Sequence, residues 1–315
     1  MSQTFIHLLQ AAVRSGDPIV IDGGLGTALE SRGIDLSHEL WSAALLRDSP
    51  DTLAEVHADF IRAGARIVTT ASYQATPLGF ERASIPAEEG LRLIARSVEI
   101  AAGAGDALVA GSVGPFGAAL GNGAEYTGDY SLSDEEFAAF HRPRIEALVS
   151  AGADLLAIET QPSLPEARVL AGLADEYGIP AWLSVTLADQ GDLADGSHMA
   201  DGTPLSDLAE AVADSRMIRA LGVNCVRSSL VTPALAALAS ATDLPLIAYP
   251  NSGETYDATA MEWREGAAFD SSPRALAPWV SAGARIIGGC CRTTPADIAG
   301  LAAAVQELSR ASSPG

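Results

Sequence analysis

Three segments of the chain repeat one pattern: FIRAGARIVTT (60–70), LVSAGADLLAIET (148–160) and WVSAGARIIGGC (279–290). Each contains the end of an apolar helical stretch, a small-residue turn and a run of strand-forming residues. The glycine of each turn, Gly64, Gly152 or Gly283, stands where the residue after a helix end takes a left-handed conformation. The helix therefore stops and a strand begins within two residues. The repeat predicts alternating helices and parallel strands.

Beyond the repeat, the chain contains eight short runs of this kind, and most are continuously apolar, as in parallel strands covered on both faces. They are Ile19–Asp22, Ile67–Ser72, Ala107–Val113, Leu155–Glu159, Ala181–Leu187, Ala220–Asn224, Leu246–Pro250 and Arg285–Gly289. Eight units without a break in composition predict the α/β class, as a single (β/α)8 TIM-type barrel domain over residues 1–315, with an N-terminal helix at about 3–15. An open doubly wound sheet is the main alternative, and the even spacing of the units disfavours it.

The charge of the chain excludes some classes of partner. Lys and Arg total 19 against 40 Asp and Glu, which gives a net charge of −21. Nucleic acids and anionic membranes both need a positive surface, so we expect neither as a partner. The N-terminus shows no signal-peptide pattern, and an odd number of cysteines is poor material for disulfides. We expect a cytoplasmic protein with reduced thiols; the oligomeric state stays open, with a monomer favoured.

All three cysteines follow predicted strands at the barrel end where such folds place their chemistry. Cys225 follows the sixth run, and Cys290 and Cys291 follow the eighth. Three thiolates suit zinc with an open fourth position. Adjacent cysteines on a regular strand would point to opposite faces, so the backbone must leave strand geometry there, and Gly288 and Gly289 would allow it. The alternatives are three small buried apolar side chains, or a phosphate site at the two glycines.

Two acidic residues, Asp22 and Glu159, end otherwise apolar strands. A buried carboxylate costs free energy unless it is paired, so the pair predicts a pocket for a cationic group such as an amine, with a structural salt bridge or helix cap as the alternative. The adjacent GGLGT run (23–27) predicts close approach of backbone to a ligand. The five histidines, which show no metal-binding spacing, are expected at the surface or as caps: His7, His38, His57, His141 and His198.

Taken together, the motifs resemble the homocysteine S-methyltransferases from residue 18 to about 305. They are IDGGLGTALE (21–30), VTTASYQAT (68–76), LLAIET (155–160), GVNC (222–225), YPNSGETYD (249–257) and GGCCRTTP (288–295). The resemblance implies a zinc-dependent barrel that methylates homocysteine to methionine, with Cys225, Cys290 and Cys291 as the zinc ligands. It further implies that Asp22 and Glu159 hold the amino group of homocysteine, and that Thr70 and the amides near Gly23 and Gly24 take its carboxylate. Asn224, beside a ligand, is expected to support the metal site.

The second substrate that the resemblance implies is a methyl donor. YPNSGETYD and EYTGDY (125–130) resemble the branch that uses S-methylmethionine, while S-adenosylmethionine and betaine remain alternatives. Trp41 and Tyr73 are candidates to face a sulfonium cation, or else to pack over the barrel mouth. A non-catalytic zinc-thiolate sensor on the same barrel is a further alternative. An aldolase-type barrel is disfavoured because no strand end carries a lysine.

Overall fold

The computed structural model describes residues 2–35, 45–253, 255–257, 262–264 and 269–312. Each of the eight predicted runs overlaps one barrel strand, and a short hairpin adds two more strands. The barrel strands are β1 (Ile19–Val20), β2 (Ile67–Thr69), β3 (Leu108–Val113), β4 (Leu155–Gln161), β5 (Ala181–Val185), β6 (Ile218–Asn224), β7 (Leu246–Tyr249) and β10 (Ala284–Ile287). The hairpin strands are β8 (Thr255–Asp257) and β9 (Glu262–Arg264), which pair antiparallel.

The eight barrel strands are parallel and lie in the order β1-β10-β7-β6-β5-β4-β3-β2. The two ends of this order also meet, through a bridge between Ile21 and Ile67. There, the Arg66 amide donates to the Val20 carbonyl at 2.8 Å. An open sheet would leave β1 and β2 as separate edges, so the ring confirms the predicted (β/α)8 barrel and rules out the doubly wound alternative.

Helices surround the barrel and connect its strands. They are α1 (Ser2–Ser15), α2 (Leu25–Glu30), α3 (Leu45–Asp48), α4 (Pro50–Arg62), α5 (Pro77–Arg82), α6 (Ala87–Gly103), α7 (Phe116–Leu120), α8 (Asp134–Ser150), α9 (Leu164–Tyr177), α10 (Leu205–Ala211), α11 (Ser228–Ala239), α12 (Pro273–Ser281) and α13 (Pro295–Ser312). The predicted N-terminal helix is therefore confirmed. No helix in the described ranges is long and apolar enough to cross a membrane.

The three glycines of the repeat adopt the predicted conformation. Their φ angles are 111° at Gly64, 93° at Gly152 and 104° at Gly283, and they follow the ends of α4, α8 and α12. A residue with a Cβ is strained at such angles, whereas glycine is not. These turns deliver the chain directly into β2, β4 and β10.

The apolar core has two parts, one inside the barrel and one between the sheet and the helices. Ile19 and Ile21 belong to the inner cluster and Val20 to the outer one, as the period of two along a strand requires. Phe5 and Leu9 of α1, spaced one helical turn apart, join the inner cluster and cover the amino-terminal end of the barrel. The strand ends at the opposite mouth carry the polar residues described next.

Candidate metal and substrate site

The structure brings the three cysteines together. Cys225 directly follows β6, and Cys290 and Cys291 follow β10, with only β7 between these two strands. The three sulfurs lie within 4.8 Å of one another, and Cys225 Sγ lies 3.6 Å from Cys291 Sγ. Sulfurs bound to one tetrahedral zinc at about 2.3 Å would be about 3.8 Å apart. The donor set therefore fits a metal ion in both spacing and chemistry.

The backbone leaves strand geometry at both cysteine positions. Strand β10 ends at Ile287, so the adjacent cysteines lie in the turn that follows, and Cys225 itself has a left-handed φ of 54°. Such a conformation is uncommon for a residue with a Cβ and is maintained only by surrounding structure. Gly288 and Gly289 have no positive φ; instead, a Cβ on them would overlap the Ile21 and Thr293 side chains. These glycines serve close packing rather than unusual backbone angles.

The thiols also influence one another electrostatically. Hydrogen bonds from Cys290 and Cys291 lower the pKa of Cys225, and Tyr126 and Asn251 add further hydrogen bonds to its sulfur. Sharing a proton with the Cys225 thiolate raises the pKa of Cys290 in turn. Three thiols so close together cannot all ionise without a cation between them. The cluster is therefore a site prepared for positive charge.

Two buried carboxyl groups share the same mouth. Asp22 is 2% exposed and accepts hydrogen bonds from the Thr69 amide at 2.7 Å and its hydroxyl at 3.0 Å. Burial raises the pKa of Asp22 to about 8. Glu159 is 8% exposed, accepts from Ser112 Oγ at 2.5 Å and from Tyr249 Oη at 3.1 Å, and has a pKa that burial raises to about 7.

These two carboxyl groups lie close enough for the charge of Glu159 to raise the pKa of Asp22 as well. No ion pair involving either group is present among the residues that the structure describes. The structural salt bridge considered from sequence is therefore not formed in this part of the chain. An amine bound between the two groups would favour their ionised forms.

Asn224 lies between Thr160, the residue after Glu159, and Cys290. Its Oδ1 accepts hydrogen bonds from the Thr160 amide at 2.7 Å and from Ser184 Oγ at 2.8 Å. Its Nδ2 donates to Thr160 Oγ1 at 2.8 Å and lies 3.9 Å from Cys290 Sγ. The side chain is fully buried, and these bonds determine its orientation beside Cys290.

The remaining predicted site residues differ in their freedom to contact a ligand. The Gly24 amide already donates to Thr293 Oγ1 at 3.0 Å, and Gly23 packs against that same threonine. Thr70 Oγ1 accepts from the Ser112 amide at 3.0 Å and lies 2.7 Å from Ser72 Oγ. Because Ser72 Oγ donates to the Ser112 carbonyl, the Thr70 hydroxyl hydrogen goes to Ser72. This pattern favours a structural role for Thr70.

The predicted donor-facing aromatic residues have different outcomes. Tyr73 is half-buried and electrostatically coupled to Glu125 and Cys225, and burial raises its pKa well above the ordinary value. It therefore lies at the site. Trp41 and His38 lie outside the described residues.

Several residues at the site stand in the EYTGDY and YPNSGETYD motifs but were not predicted individually as site residues. Tyr126 Oη lies 3.4 Å from Cys225 Sγ, and the neighbouring Glu125 has a pKa that burial raises to about 7. Asn251 hydrogen-bonds to Cys225 from the segment after β7. Besides those motifs, the signal was that these residues stand in the loops after strands, where barrel active sites are built.

The prediction for the histidines is wrong at two positions. His141 and His57 are buried, at 0% and 1% exposure. His141 Nε2 lies 2.7 Å from Glu166 Oε1, while its Nδ1 accepts a hydrogen bond from Arg144 at 2.8 Å. A lone histidine in a helix carries no sequence signal for such a network, because its partners come from other elements of the fold.

This buried network holds the loops at the mouth. Arg144 donates to the Tyr73 carbonyl at 2.9 Å and to the Gly114 carbonyl at 2.6 Å. Glu166 accepts hydrogen bonds from the Phe116 amide at 2.6 Å and from Tyr130 Oη at 2.5 Å. The loop after β2 is therefore tied to α8, and the loop after β3 is tied to both α8 and α9.

The phosphate alternative does not fit the turn after β10. The Asp297 carboxylate accepts hydrogen bonds from the Thr294 amide at 2.8 Å and its hydroxyl at 2.7 Å, at the start of α13. An acidic side chain at this position repels a phosphate. The turn after β10 therefore offers no phosphate site.

The chain matches a family model described as homocysteine S-methyltransferase over residues 19–305. The homocysteine S-methyltransferase of Escherichia coli K12 is 47% identical over 308 residues, covering 94% of this chain and 97% of the relative. The homocysteine S-methyltransferase YbgG of Bacillus subtilis is 41% identical over 305 residues, covering 92% and 95%.

A solved structure agrees with these relatives. The crystal structure of the homocysteine methyltransferase MmuM from Escherichia coli in its metallated form superposes with a TM-score of 0.83 at 45% identity, covering 94% of this chain and 99% of that chain. The range of the family model, residues 19–305, includes all eight barrel strands and the three cysteines. The chain therefore belongs to the homocysteine S-methyltransferase family.

Proposed function

We propose that this protein is an enzyme that transfers a methyl group from a sulfonium donor to the thiol of homocysteine, giving methionine. The observation that carries the proposal is the convergence of three cysteine sulfurs and two buried carboxyl groups at one barrel mouth. Homocysteine has a thiol at one end, which can bind the metal, and an amino group at the other end, which can bind to the acidic pair. The relatives that match over nearly the full chain are named for the same substrate.

Zinc is the metal that suits the three-cysteine site best. Thiolate ligands select zinc over magnesium or calcium, and three protein ligands leave one position for a substrate sulfur. When bound, zinc supplies the positive charge that keeps a thiol deprotonated at neutral pH. Cys225, Cys290 and Cys291 would hold it, and Asn224 would keep Cys290 oriented through its 3.9 Å contact. The cysteines are free thiols, which fits a reducing, cytoplasmic location.

The protein's own groups would orient homocysteine. Asp22 and Glu159 would bind its ammonium group, because each carboxyl is buried and carries hydrogen bonds that already determine its direction. The segment at Gly23 and Gly24 would lie along its carboxylate. This placement directs the substrate sulfur toward the cysteine cluster, which holds the nucleophile in place for attack.

The transfer itself requires no proton donor. A lone pair of the homocysteine sulfur forms the new bond to the methyl carbon while the donor's carbon–sulfur bond breaks. The bonding electrons return to the positively charged donor sulfur, which leaves as a neutral thioether. Exclusion of water and alignment of the two sulfurs are then the main contributions of the protein.

The test combines metal analysis with a panel of donors. We expect about one zinc per chain and methionine formation from homocysteine with S-methylmethionine, and less with S-adenosylmethionine or betaine. Turnover with betaine alone would favour the betaine branch, and metal binding without any turnover would favour the sensor. In Cys290→Ala we expect loss of both zinc and turnover. Full activity in a zinc-free Cys290→Ala chain would contradict the proposed mechanism.

A further inference from the structure

Three buried polar atoms in the loops beside the cysteine cluster have no hydrogen-bond partner among the described residues. Glu125 Oε2, Asn251 Oδ1 and Ser252 Oγ are inaccessible to solvent and have no partner in the described structure. Asn251 is 7% exposed and Ser252 8%. Buried polar groups normally form hydrogen bonds, so each buried polar atom without one indicates a partner that is not part of the protein. None of these three atoms is used by the homocysteine contacts proposed above.

These atoms come from the loop after β3 and the segment after β7, whereas Asp22 and Glu159 come from the ends of β1 and β4. The Asn251 side chain donates to Cys225, which leaves its Oδ1 as the unsatisfied atom. Glu125 lies within electrostatic range of Cys225 and Tyr73. The Ser252 amide donates to the Cys291 carbonyl at 3.1 Å, so the segment after β7 is fastened to the cysteine turn.

The loop that carries Glu125 is folded tightly, and the Glu125 carboxylate accepts a hydrogen bond from its own backbone amide, which leaves Oε2 as the unsatisfied oxygen. A Cβ on Gly117 would lie 2.7 Å from the Glu125 amide nitrogen, so the loop is folded tightly on itself. The Gly128 amide donates to the Ala124 carbonyl at 2.8 Å. The loop is also tied at both ends to Glu166, as described above. A framework built in this way holds a carboxylate oxygen away from water, at a cost in free energy that a bound cation would offset.

The chemistry of the unsatisfied atoms identifies the missing ligand group. Glu125 Oε2 and Asn251 Oδ1 are both hydrogen-bond acceptors, and one carries negative charge when ionised. Their complement is a cation with N–H donors, which describes a primary ammonium group. A quaternary ammonium such as that of betaine carries no N–H, and a sulfonium carries none either.

We propose that Glu125, together with Asn251 Oδ1, binds the ammonium group of an amino-acid methyl donor. The inference rests on the proposed function, because it assigns one half of that site to the second substrate. Homocysteine is held by the acidic pair, and the donor is held beside Cys225 with Tyr73 and Tyr126 as aromatic neighbours of its cationic sulfur. The protein is thereby selective for donors that are themselves amino acids.

The experiment measures binding of S-methylmethionine to the zinc-loaded protein by calorimetry, which does not depend on turnover. We expect Glu125→Gln to weaken it about 10- to 100-fold, the effect of removing a charged hydrogen-bond partner. Affinity for homocysteine and zinc content should stay at the wild-type level. Asp129→Asn is the matched control, because it removes the same charge from an exposed position in the same loop.

A second ligand distinguishes the contribution of the ammonium group to binding from that of the sulfonium group. Dimethylsulfoniopropionate carries the sulfonium but no amine, so we expect Glu125→Gln to change its weaker binding less than twofold. Equal affinity of the wild type and Glu125→Gln for S-methylmethionine would overturn the assignment, as would a loss of homocysteine affinity instead. A wild-type protein that binds S-methylmethionine but forms no methionine would refute the proposed function while leaving this binding comparison intact.

Discussion

Replacing Glu159 with Gln is expected to weaken homocysteine binding and, at the same time, to stabilise the ligand-free protein. A carboxylate that receives an ammonium group contributes a charged hydrogen bond worth about 1.5–3 kcal/mol. Its loss should raise the KM for homocysteine about 10- to 150-fold. Asp22 remains in the variant, so binding is weakened and not abolished.

The free energy of unfolding of the ligand-free Glu159→Gln variant should be higher than that of the wild type, although its homocysteine binding is weaker. Burial raises the pKa of Glu159 from 4.5 to about 7, so the folded state disfavours the carboxylate. The unfolded chain ionises freely above pH 4.5, and the wild type therefore loses stability as the pH rises from there through 7. Above pH 7 this cost is about 3 kcal/mol, and below pH 4.5 it is absent.

The amide of the variant can be satisfied without rearrangement. Its oxygen would accept from Ser112 Oγ as Glu159 does, and its nitrogen would donate to the Tyr249 hydroxyl. The Tyr249 hydrogen would then turn to Ser184 Oγ, 2.6 Å away. Ser184 can accept it because its own hydrogen goes to Asn224 Oδ1. The variant should therefore fold with its polar network complete.

The assay combines steady-state kinetics with urea unfolding from pH 4.5 to 8. The control is Glu136→Gln, the same change at an exposed capping residue of α8, for which the homocysteine KM should not move. An unchanged KM in Glu159→Gln would show that the amine binds elsewhere. A variant several kcal/mol less stable than the wild type at pH 7.5 would refute the argument from burial.

Four other substitutions test the framework. In Gly24→Ala the new Cβ would lie 2.7 Å from the Cys290 carbonyl oxygen. We therefore expect a lower zinc content by elemental analysis and a free energy of unfolding lower by about 1–3 kcal/mol. A wild-type zinc content would contradict this. Arg144→Met leaves two loop carbonyls without their hydrogen-bond donor and a buried network without its cation. Urea unfolding should therefore show a free energy of unfolding lower by about 3–5 kcal/mol. Gly64→Ala, at a φ of 111°, should cost about 1–3 kcal/mol in thermal unfolding, whereas Gly172→Ala, in open space within α9, should stabilise by about 0.5–1 kcal/mol.

Much of the fold could be predicted because its signals are local. The turn glycines and the eight apolar runs reflect backbone conformation and burial within a few residues of each position. The cysteine site followed from the same reasoning, since strand ends of a barrel share one mouth. The prediction that the adjacent cysteines leave the strand was confirmed, although Gly288 and Gly289 act through close packing.

Other features of the site depend on contacts between distant parts of the chain. The Thr70 hydroxyl, which the resemblance assigns to the homocysteine carboxylate, also joins the end of β2 to β3 through Ser112. His141 was expected at the surface, yet it lies buried between Arg144 and Glu166. Nothing near these residues in the sequence specifies their partners.

The sequence alone determined the number of strand–helix units, the places where helices stop, and the end of the barrel at which the cysteines gather. Each of these depends on the periodicity and backbone preference of neighbouring residues. The tertiary structure alone decided which polar atoms are satisfied and which are left unsatisfied at the mouth. Closing the ring brings together groups from separate strands and removes water from them, so burial raises the pKa of Asp22 and Glu159 and leaves Glu125 Oε2 without a partner.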